Sequence, residues 1–274
     1  MKYCFSTLGC PEFDFNEIFS TALDLGFDAI EIRGIQKEIY APKIKEFTGE
    51  ELTKTMKRLS DTNLKIAIFT SGALIYDKKL KKEALKEAFD YIDLAANAKV
   101  KYIRVLADKD AIPSKDLDLK YIAEFLKEIC NYAKPKNVDV LIETNGYFAN
   151  SDNMLSLLKA ADCKNLFVIW DTHHTYQIAK EKPEKTCGKL KDYIKHIHIK
   201  DSKIINGNIN YCMTGSGEMP ILEILNELRK INYSGYISLE WVKRWAKNLE
   251  ESYVVFPQFI NYMKNLEKEF KSIV

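Results

Sequence analysis

Eight short runs of β-branched and other apolar residues recur along the chain, and a longer amphipathic run rich in Lys and Glu follows each of them. The alternation continues from end to end without a linker or a change in composition. Strands that alternate with helices indicate parallel pairing, and an apolar run such as 166–170 is typical of a sheet covered on both faces. We therefore predict an α/β fold in which residues 1–274 form one domain, a (β/α)8 TIM barrel, which typically needs about 250 residues.

The predicted strands cover residues 3–8, 29–33, 65–70, 102–106, 139–144, 166–171, 196–200 and 236–241. The predicted helices cover residues 14–25, 50–62, 79–98, 116–134, 151–162, 186–194, 220–231 and 250–270. Asp14 and Ser151 stand directly before helical runs and are predicted to be N-caps. A doubly wound open sheet is the alternative fold, but residues 7–11 lack the Gly-rich turn that such a sheet usually places after its first strand.

The charges are nearly balanced, with 41 Lys and Arg against 39 Asp and Glu and a formal net charge of +2. This balance argues against nucleic acid or a membrane surface as a partner and favours a small molecule. No apolar run approaches the roughly 20 residues of a spanning helix, and the first residues do not form a signal peptide. The six cysteines contain no C-x-x-C pair, so we expect reduced thiols in a cytoplasmic protein.

All four histidines of the chain, His173, His174, His196 and His198, fall at two successive strand ends. In a (β/α)8 barrel the active site lies at the carboxyl ends of the strands. His198 is nearer to that end, and we interpret it as the functional strand histidine. His196, two residues earlier, is expected to point away from it and to pack or to support the site.

The carboxyl ends of the last four predicted strands carry Glu143, Asp171, His198 and Glu240. Each of them alone is equally well explained as a helix cap or as a hydrogen-bonded core residue. Together, however, ionisable groups in a confined barrel mouth need an offsetting positive charge, which a divalent cation supplies. We therefore predict one divalent metal ion, with Mn²⁺, Mg²⁺ or Co²⁺ favoured by the oxygen-rich set and Zn²⁺ as the alternative.

Further residues near the mouth are candidates for substrate contact. His174 follows Asp171 by three residues, and Lys200 and Arg104 lie on strands. An arginine there also has the simpler explanation of pairing with a barrel carboxylate, and Glu31 is at most an extra polar contact. The segment 214–218, Thr-Gly-Ser-Gly-Glu, opens a helix where barrels often bind anions through backbone N–H groups, although a plain turn is the alternative. Residues 200–214 are expected to form a long polar loop that covers a pocket.

The chain resembles the xylose isomerase-like barrel superfamily, the group of sugar phosphate isomerases and epimerases that also contains the family 2 AP endonucleases. The resemblance covers essentially the whole chain and rests on six motifs in family order: STLGCPEFDFNEIFSTALDLGFDAIEIRG, IETNG, WDTHHTY, HIHIKDS, GSGEMP and GYISLEW. It implies that the metal ligands are Glu143, Asp171, His198 and Glu240, and that His174 contacts the substrate.

Metal ligands that are absent from this chain argue against two functions of the superfamily. Its AP endonucleases hold three zinc ions with the help of additional histidines, whereas this chain has no His before His173 or after His198. The additional ligands of the two-metal xylose isomerases are also missing. The resemblance therefore implies an enzyme with one metal ion.

We predict an isomerase or epimerase that acts on a sugar or sugar phosphate, in which Glu143 and Glu240 exchange a proton with a metal-chelated hydroxy-ketone. The alternative is a lyase of the inosose dehydratase kind, in which His174 or a lysine assists loss of a hydroxyl group. A non-catalytic barrel that only binds a sugar is a third interpretation. The apolar stretch 253–259 is expected to pack as the last helix, and a homo-oligomer is left open.

Overall fold

Eight parallel strands form a closed barrel in the computed structural model, which describes the backbone of residues 1–272 and the side chains through Glu269. The barrel predicted from the sequence is confirmed, and the open sheet is excluded. The barrel strands are β1 Lys2–Ser6, β2 Ala29–Ile32, β3 Lys65–Leu74, β4 Tyr102–Leu106, β5 Asp139–Glu143, β6 Leu166–Asp171, β7 Ile194–Ile199 and β10 Tyr236–Leu239, and β8 and β9 form a separate hairpin. Around the barrel they follow the order β1, β10, β7, β6, β5, β4, β3, β2, and β2 pairs again with β1.

Eight helices surround the barrel, and each lies close to its predicted position. Asp14 is the N-cap of the first helix, as predicted, and forms a capping box with Glu17. The prediction of Ser151 as an N-cap is wrong, because Asn150 has the extended backbone and accepts the N–H groups of the first turn, while Ser151 is already helical. The helices are α1 Phe15–Leu25, α2 Gly49–Asp61, α3 Lys81–Asn97, α4 Leu119–Ala133, α5 Ser151–Ala161, α6 Pro183–Leu190, α7 Ile221–Lys230 and α8 Ser252–Ser272.

The last helix, α8, packs one apolar face against the barrel. Val255, Phe256 and Phe259 are buried, whereas Tyr253 is exposed. The stretch 253–259 therefore packs as the last helix, as predicted.

A small apolar cluster fills the barrel interior below its carboxyl end. It contains Cys4, Ala29, Ala67, Ile68, Leu141 and Ile169 and is separate from the larger core between the barrel and its helices. Residues two apart along a strand point to the same face. Leu141 and Ile169 therefore lie directly beneath Glu143 and Asp171, and a dry layer forms the floor of the polar mouth.

The prediction of a long polar loop at 200–214 is wrong, because these residues form an antiparallel hairpin. Its strands are β8 Asp201–Ile205 and β9 Asn208–Cys212. Gly207 at the tip has a φ of 77°, a left-handed conformation that glycine adopts without strain and that a two-residue turn requires. Within the described residues, no helix is long and apolar enough to cross a bilayer.

Candidate metal and substrate site

Four buried side chains converge at the carboxyl end of the barrel. Glu143, Asp171 and His198 come from β5, β6 and β7, and Glu240 directly follows β10. One ligand atom from each of the four lies within 4.8 Å of the others, and the set could hold a metal ion. These are the residues that the sequence analysis selected from four strand ends, and the closed barrel brings them to one point because β10, β7, β6 and β5 are neighbours.

The two ring nitrogens of His198 face different partners. Its Nδ1 lies 3.3 Å from Glu143 Oε1 and 3.3 Å from Glu240 Oε1, so this nitrogen points into the cluster. Its Nε2 lies 3.1 Å from Glu31 Oε2, at the end of β2. Because a carboxylate only accepts, Nε2 carries the hydrogen that Glu31 accepts, and Nδ1 is the nitrogen that would exchange its hydrogen for a cation placed between Glu143 and Glu240.

The prediction that His196 points away from His198 is wrong. Residues two apart share a face, and His196 Nε2 lies 2.8 Å from the same Glu31 oxygen. Glu31 is fully buried between the two rings, so it is far more than the extra polar contact expected for it. On β2, Glu31 lies two residues after Ala29 and therefore faces the barrel interior with it. This strand alternation was the sequence signal that could have revealed the role of Glu31.

Two cations lie against the carboxylates of the cluster. Arg104 Nη1 donates to Glu143 Oε2 at 2.8 Å and lies 3.7 Å from Glu240 Oε1. The ammonium of Lys200 donates to Asp171 and Glu240. The simpler explanation of Arg104, a partner for a barrel carboxylate, therefore applies to both cations.

The pKa shifts at this point show opposite charges that stabilise one another against the cost of burial. Burial alone would raise the pKa of Glu143, but Arg104 and His198 hold it well below its usual range. Burial would lower the pKa of His198, but Glu31, Glu240 and Glu143 raise it well above its usual value. Burial likewise opposes the charge of Lys200, yet the carboxylates raise its pKa. The carboxylates thus stabilise the positive charge of His198 and Lys200, and Arg104 and His198 stabilise the negative charge of Glu143.

His174 is buried beside the cluster and begins a short π-helical turn, His174–Ile178, shortly after the end of β6 at Asp171. Its backbone N–H donates to Asp171, and its Nδ1 lies 3.2 Å from the carbonyl oxygen of Thr144. Burial, followed by the charge of Lys200, lowers the pKa of His174 to about 3. The ring is therefore neutral, with hydrogen on Nδ1 and a lone pair on Nε2.

A pocket of about 350 Å³ opens above the cluster. Its lining includes Glu143, Glu240 and His174, together with Tyr211 of the hairpin and Trp245 after β10. The hairpin therefore borders the pocket, as expected of segment 200–214 despite its different structure.

The predicted anion-binding segment 214–218 already holds an anion, the carboxylate of Asp201. Its two oxygens accept the backbone N–H groups of Ser202, Gly215, Gly217 and Met219. A Cβ at Gly217 would lie 2.0 Å from Asp201 Oδ1, so the glycine is needed for this close approach. These N–H groups consequently anchor the base of the hairpin and are not free for an external anion.

Comparison with known proteins yields several matches. A family model described as Xylose isomerase-like TIM barrel matches residues 19–259. The chain is 25% identical over 252 residues to fructoselysine 3-epimerase of Shigella flexneri, with 88% of this chain and 90% of that protein covered.

Two solved structures share the fold. The probable 3-DHS dehydratase AsbF of Bacillus anthracis gives a TM-score of 0.80 at 22% identity, with coverage of 96% of this chain and 99% of that one. The IOLI protein, whose structure contains a zinc atom, gives a TM-score of 0.77 at 16% identity, with coverage of 97% and 98%.

We predict that Asp201→Ala lowers the free energy of unfolding by about 2–4 kcal/mol, because buried backbone N–H groups lose their acceptor. Asp201→Asn keeps one acceptor oxygen and should lose less. Asp192→Ala, at an exposed position in the turn after α6, is the control and should change stability by less than about 0.5 kcal/mol. Urea unfolding followed by circular dichroism measures all three, and equal losses for Asp201→Ala and Asp192→Ala would contradict the anchoring role.

Proposed function

Because the chain belongs to the xylose isomerase-like TIM barrel family, we propose that it is a metal-dependent isomerase or epimerase of a sugar or sugar phosphate. The observation that carries the proposal is the buried cluster of Glu143, Asp171, His198 and Glu240. Three carboxylates and one imidazole are a donor set for a single divalent cation, and two of the carboxylates are glutamates able to move protons. The similarity to fructoselysine 3-epimerase supports the same reaction class.

The proposed ligands are these same four residues, with His198 binding through Nδ1. Their carboxylates, which stabilise the positive charge of His198 and Lys200, support a cation at this point. Mn²⁺, Mg²⁺ and Co²⁺ suit the oxygen-rich set, and the zinc atom in the IOLI structure keeps Zn²⁺ as the alternative. When bound, such an ion polarises the carbonyl of a hydroxy-ketone and stabilises the negative charge that forms after loss of a neighbouring proton.

The proposed proton-transfer pair is Glu143 and Glu240. The two side chains approach the pocket from strands separated by β6 and β7. Arg104 favours the ionised form of Glu143, so we assign Glu143 as the base that removes the proton next to the carbonyl. Lys200 passes a proton of its ammonium to Glu240, which delivers it to the other face of the carbon. Water then restores the proton of Lys200 and removes the proton held by Glu143. Two bases facing each other are what inversion at a carbon requires.

The neutral ring of His174 orients the substrate in this scheme. Its Nδ1–H is held by the carbonyl of Thr144, so Nε2 accepts a hydrogen bond from a substrate hydroxyl. The substrate is a carbohydrate small enough to enter a pocket of about 350 Å³. The charges of Arg104 and Lys200 are balanced by carboxylates, and their remaining N–H groups, such as that of Arg104 Nε, are the proposed donors to the substrate oxygens.

A lyase is the second candidate, favoured by the buried ammonium of Lys200. A lyase would remove the same proton and then expel a β-hydroxyl group, which needs an acid close to the leaving oxygen. Lys200 lies between Asp171 and Glu240 at the pocket and has a proton to give. The fold shared with a probable dehydratase agrees with this alternative but reflects the fold alone.

The metal proposal predicts about one divalent ion per chain of purified or reconstituted protein. Asp171→Ala and His198→Ala should each lose it, because a three-ligand remnant holds the ion poorly. Asp152→Ala removes an exposed aspartate and should retain the metal. Elemental analysis by mass spectrometry decides, and a wild-type protein that cannot be loaded would refute the mechanism.

Glu31 is predicted to strengthen metal binding without touching the ion. Glu31→Gln weakens the charged hydrogen bond that orients His198, and we expect metal affinity to fall about 10- to 100-fold. Glu50→Gln, at an exposed position on α2, should leave it unchanged. Competition with a chromophoric chelator gives the dissociation constants, and an equal affinity in Glu31→Gln and wild type would contradict this role.

The reaction class is tested by incubating fructoselysine, ketoses and cyclitols with the enzyme in D₂O in the presence of Mn²⁺, Co²⁺ or Mg²⁺. An epimerase leaves deuterium in an otherwise isomeric product, whereas a dehydratase releases water and forms a lighter one. Glu143→Gln and Glu240→Gln should each lower kcat by about 10²- to 10⁴-fold, and Glu50→Gln should not.

Binding without deuterium exchange would identify a non-catalytic sugar-binding barrel. In that case Glu143→Gln preserves binding and removes no activity.

A further inference from the structure

Arg33, which directly follows β2, is a buried guanidinium in the wall of the pocket. We propose that it binds a carboxylate or phosphate group of the substrate, so that the enzyme acts on an anionic sugar. The inference rests on the proposed function and adds the chemical class of the substrate. It depends on three observations: the burial of Arg33, the absence of an ion pair to it among the described residues, and the pairing of every other buried cation of the pocket with a carboxylate.

The burial of Arg33 is substantial. Its exposed fraction is 9%, and its side chain lines the pocket together with Glu143, Glu240 and Trp245. The central carbon of the guanidinium, Cζ, lies 6.0 Å from the ring centroid of Trp245. Trp245 is itself exposed on the loop after β10. Arg33 is therefore at the pocket wall near its opening.

Arg33 has no carboxylate partner among the described residues. Its Nη1 donates to the carbonyl oxygen of Ile39 at 3.2 Å, which leaves most of its five donors for other acceptors. Glu87 exerts an attraction, but its Oε1 accepts the backbone N–H of Gly72 at 2.6 Å and forms no ion pair with the guanidinium. Burial, followed by the charge of Arg104, lowers the pKa of Arg33. A buried guanidinium that contacts no carboxylate is costly, and charged groups in this state are common at functional sites.

The other buried cations of the pocket are already matched. Arg104 pairs with Glu143, and Lys200 pairs with Asp171 and Glu240. Lys109 and Asp110 also line the pocket but are exposed on the loop after β4. An anionic group of the substrate would thus meet one unmatched guanidinium, and its planar donors suit the paired oxygens of a carboxylate or phosphate.

A second arginine makes the same corner of the barrel positive. Arg244 lies in the loop after β10, and its Nη1 donates to the carbonyl oxygen of Gln36 at 2.6 Å. Its Nε and Nη2 are buried with no hydrogen-bond partner in the described structure, and its charge also lowers the pKa of Arg33. Two arginines without carboxylate partners therefore lie behind one side of the pocket.

The alternative place for an anion in this barrel is filled. The N–H groups of Gly215 and Gly217 donate to the Asp201 carboxylate. The substrate anion is therefore placed on the β2 side of the pocket, across from the hairpin.

The test compares three ketoses that differ at one end: D-fructose, D-fructose 6-phosphate and D-fructuronate. Isothermal titration of the full chain in the presence of Mn²⁺ should give at least tenfold tighter binding of one anionic ketose than of D-fructose. Arg33→Gln should weaken binding of that anionic ketose by roughly 10- to 100-fold, the range expected for one charged hydrogen-bond pair. The stronger of the two anionic ligands identifies the phosphate or the carboxylate as the group recognised.

Two further variants separate recognition from folding. Arg33→Lys keeps the positive charge but not the planar pair of donors of the guanidinium, and it should bind the anionic ketose more tightly than Arg33→Gln but less tightly than wild type. Arg58→Gln removes an exposed arginine of α2 and should bind all three ketoses as wild type does. Equal binding of D-fructose and the anionic ketoses by wild type, or an Arg33→Gln variant with unaltered affinity for the anions, would overturn the proposal.

These outcomes are independent of the reaction itself. Tight, Arg33-dependent binding of an anionic ketose supports the anion site even where no deuterium exchange follows. The same absence of exchange refutes the proposed function.

Discussion

The concentration of negative charge at the carboxyl end of the barrel is the constraint to which the rest of the site responds. Glu31, Glu143, Asp171 and Glu240 are buried within one barrel mouth, where like charges repel strongly because little water screens them. Arg104 and Lys200 offset part of this charge, and the shared contact of Glu31 with both strand histidines offsets more. A divalent ion completes the balance in the proposed enzyme. The proposed binding of a cation follows from the cost of burying several carboxylates together away from water.

The fold could be predicted from the sequence because the strand and helix patterns of apolar residues are clear. Apolar runs of strand length alternate with amphipathic runs of helix length, and the barrel follows from counting them. The convergence of Glu143, Asp171, His198 and Glu240 was predictable for the same reason, since strand ends in a barrel meet. Errors arose where a side chain chooses between local partners: Asn150, not Ser151, caps α5, because the two adjacent polar residues differ only in backbone conformation.

Long-range partners were less accessible to sequence reasoning. The expected orientation of His196 was wrong because residues two apart on a strand share a face, so His196 and His198 both point into the barrel. Asp201 lies 14 residues before Gly215. This spacing does not predict that its carboxylate accepts the backbone N–H groups of the glycine-rich turn. The absence of an ion pair to Arg33 among the described residues is likewise a property of the folded molecule, since an isolated arginine after a strand is unremarkable in a sequence.

The apolar layer beneath the charged cluster closes the barrel on one side, so the pocket opens only toward the other. Leu141 and Ile169 lie below Glu143 and Asp171 within the apolar cluster, and side chains of this size leave no polar route through the barrel axis. Whatever enters the pocket must therefore leave by the same opening, and any proton exchanged with bulk water takes that route too. Tyr211 of the hairpin and Trp245 border this opening from two sides. Exchange between the pocket and bulk solvent thus takes place where the hairpin, the loop after β10 and the loop after β4 meet, whereas the charged cluster beneath lies at the ends of the strands.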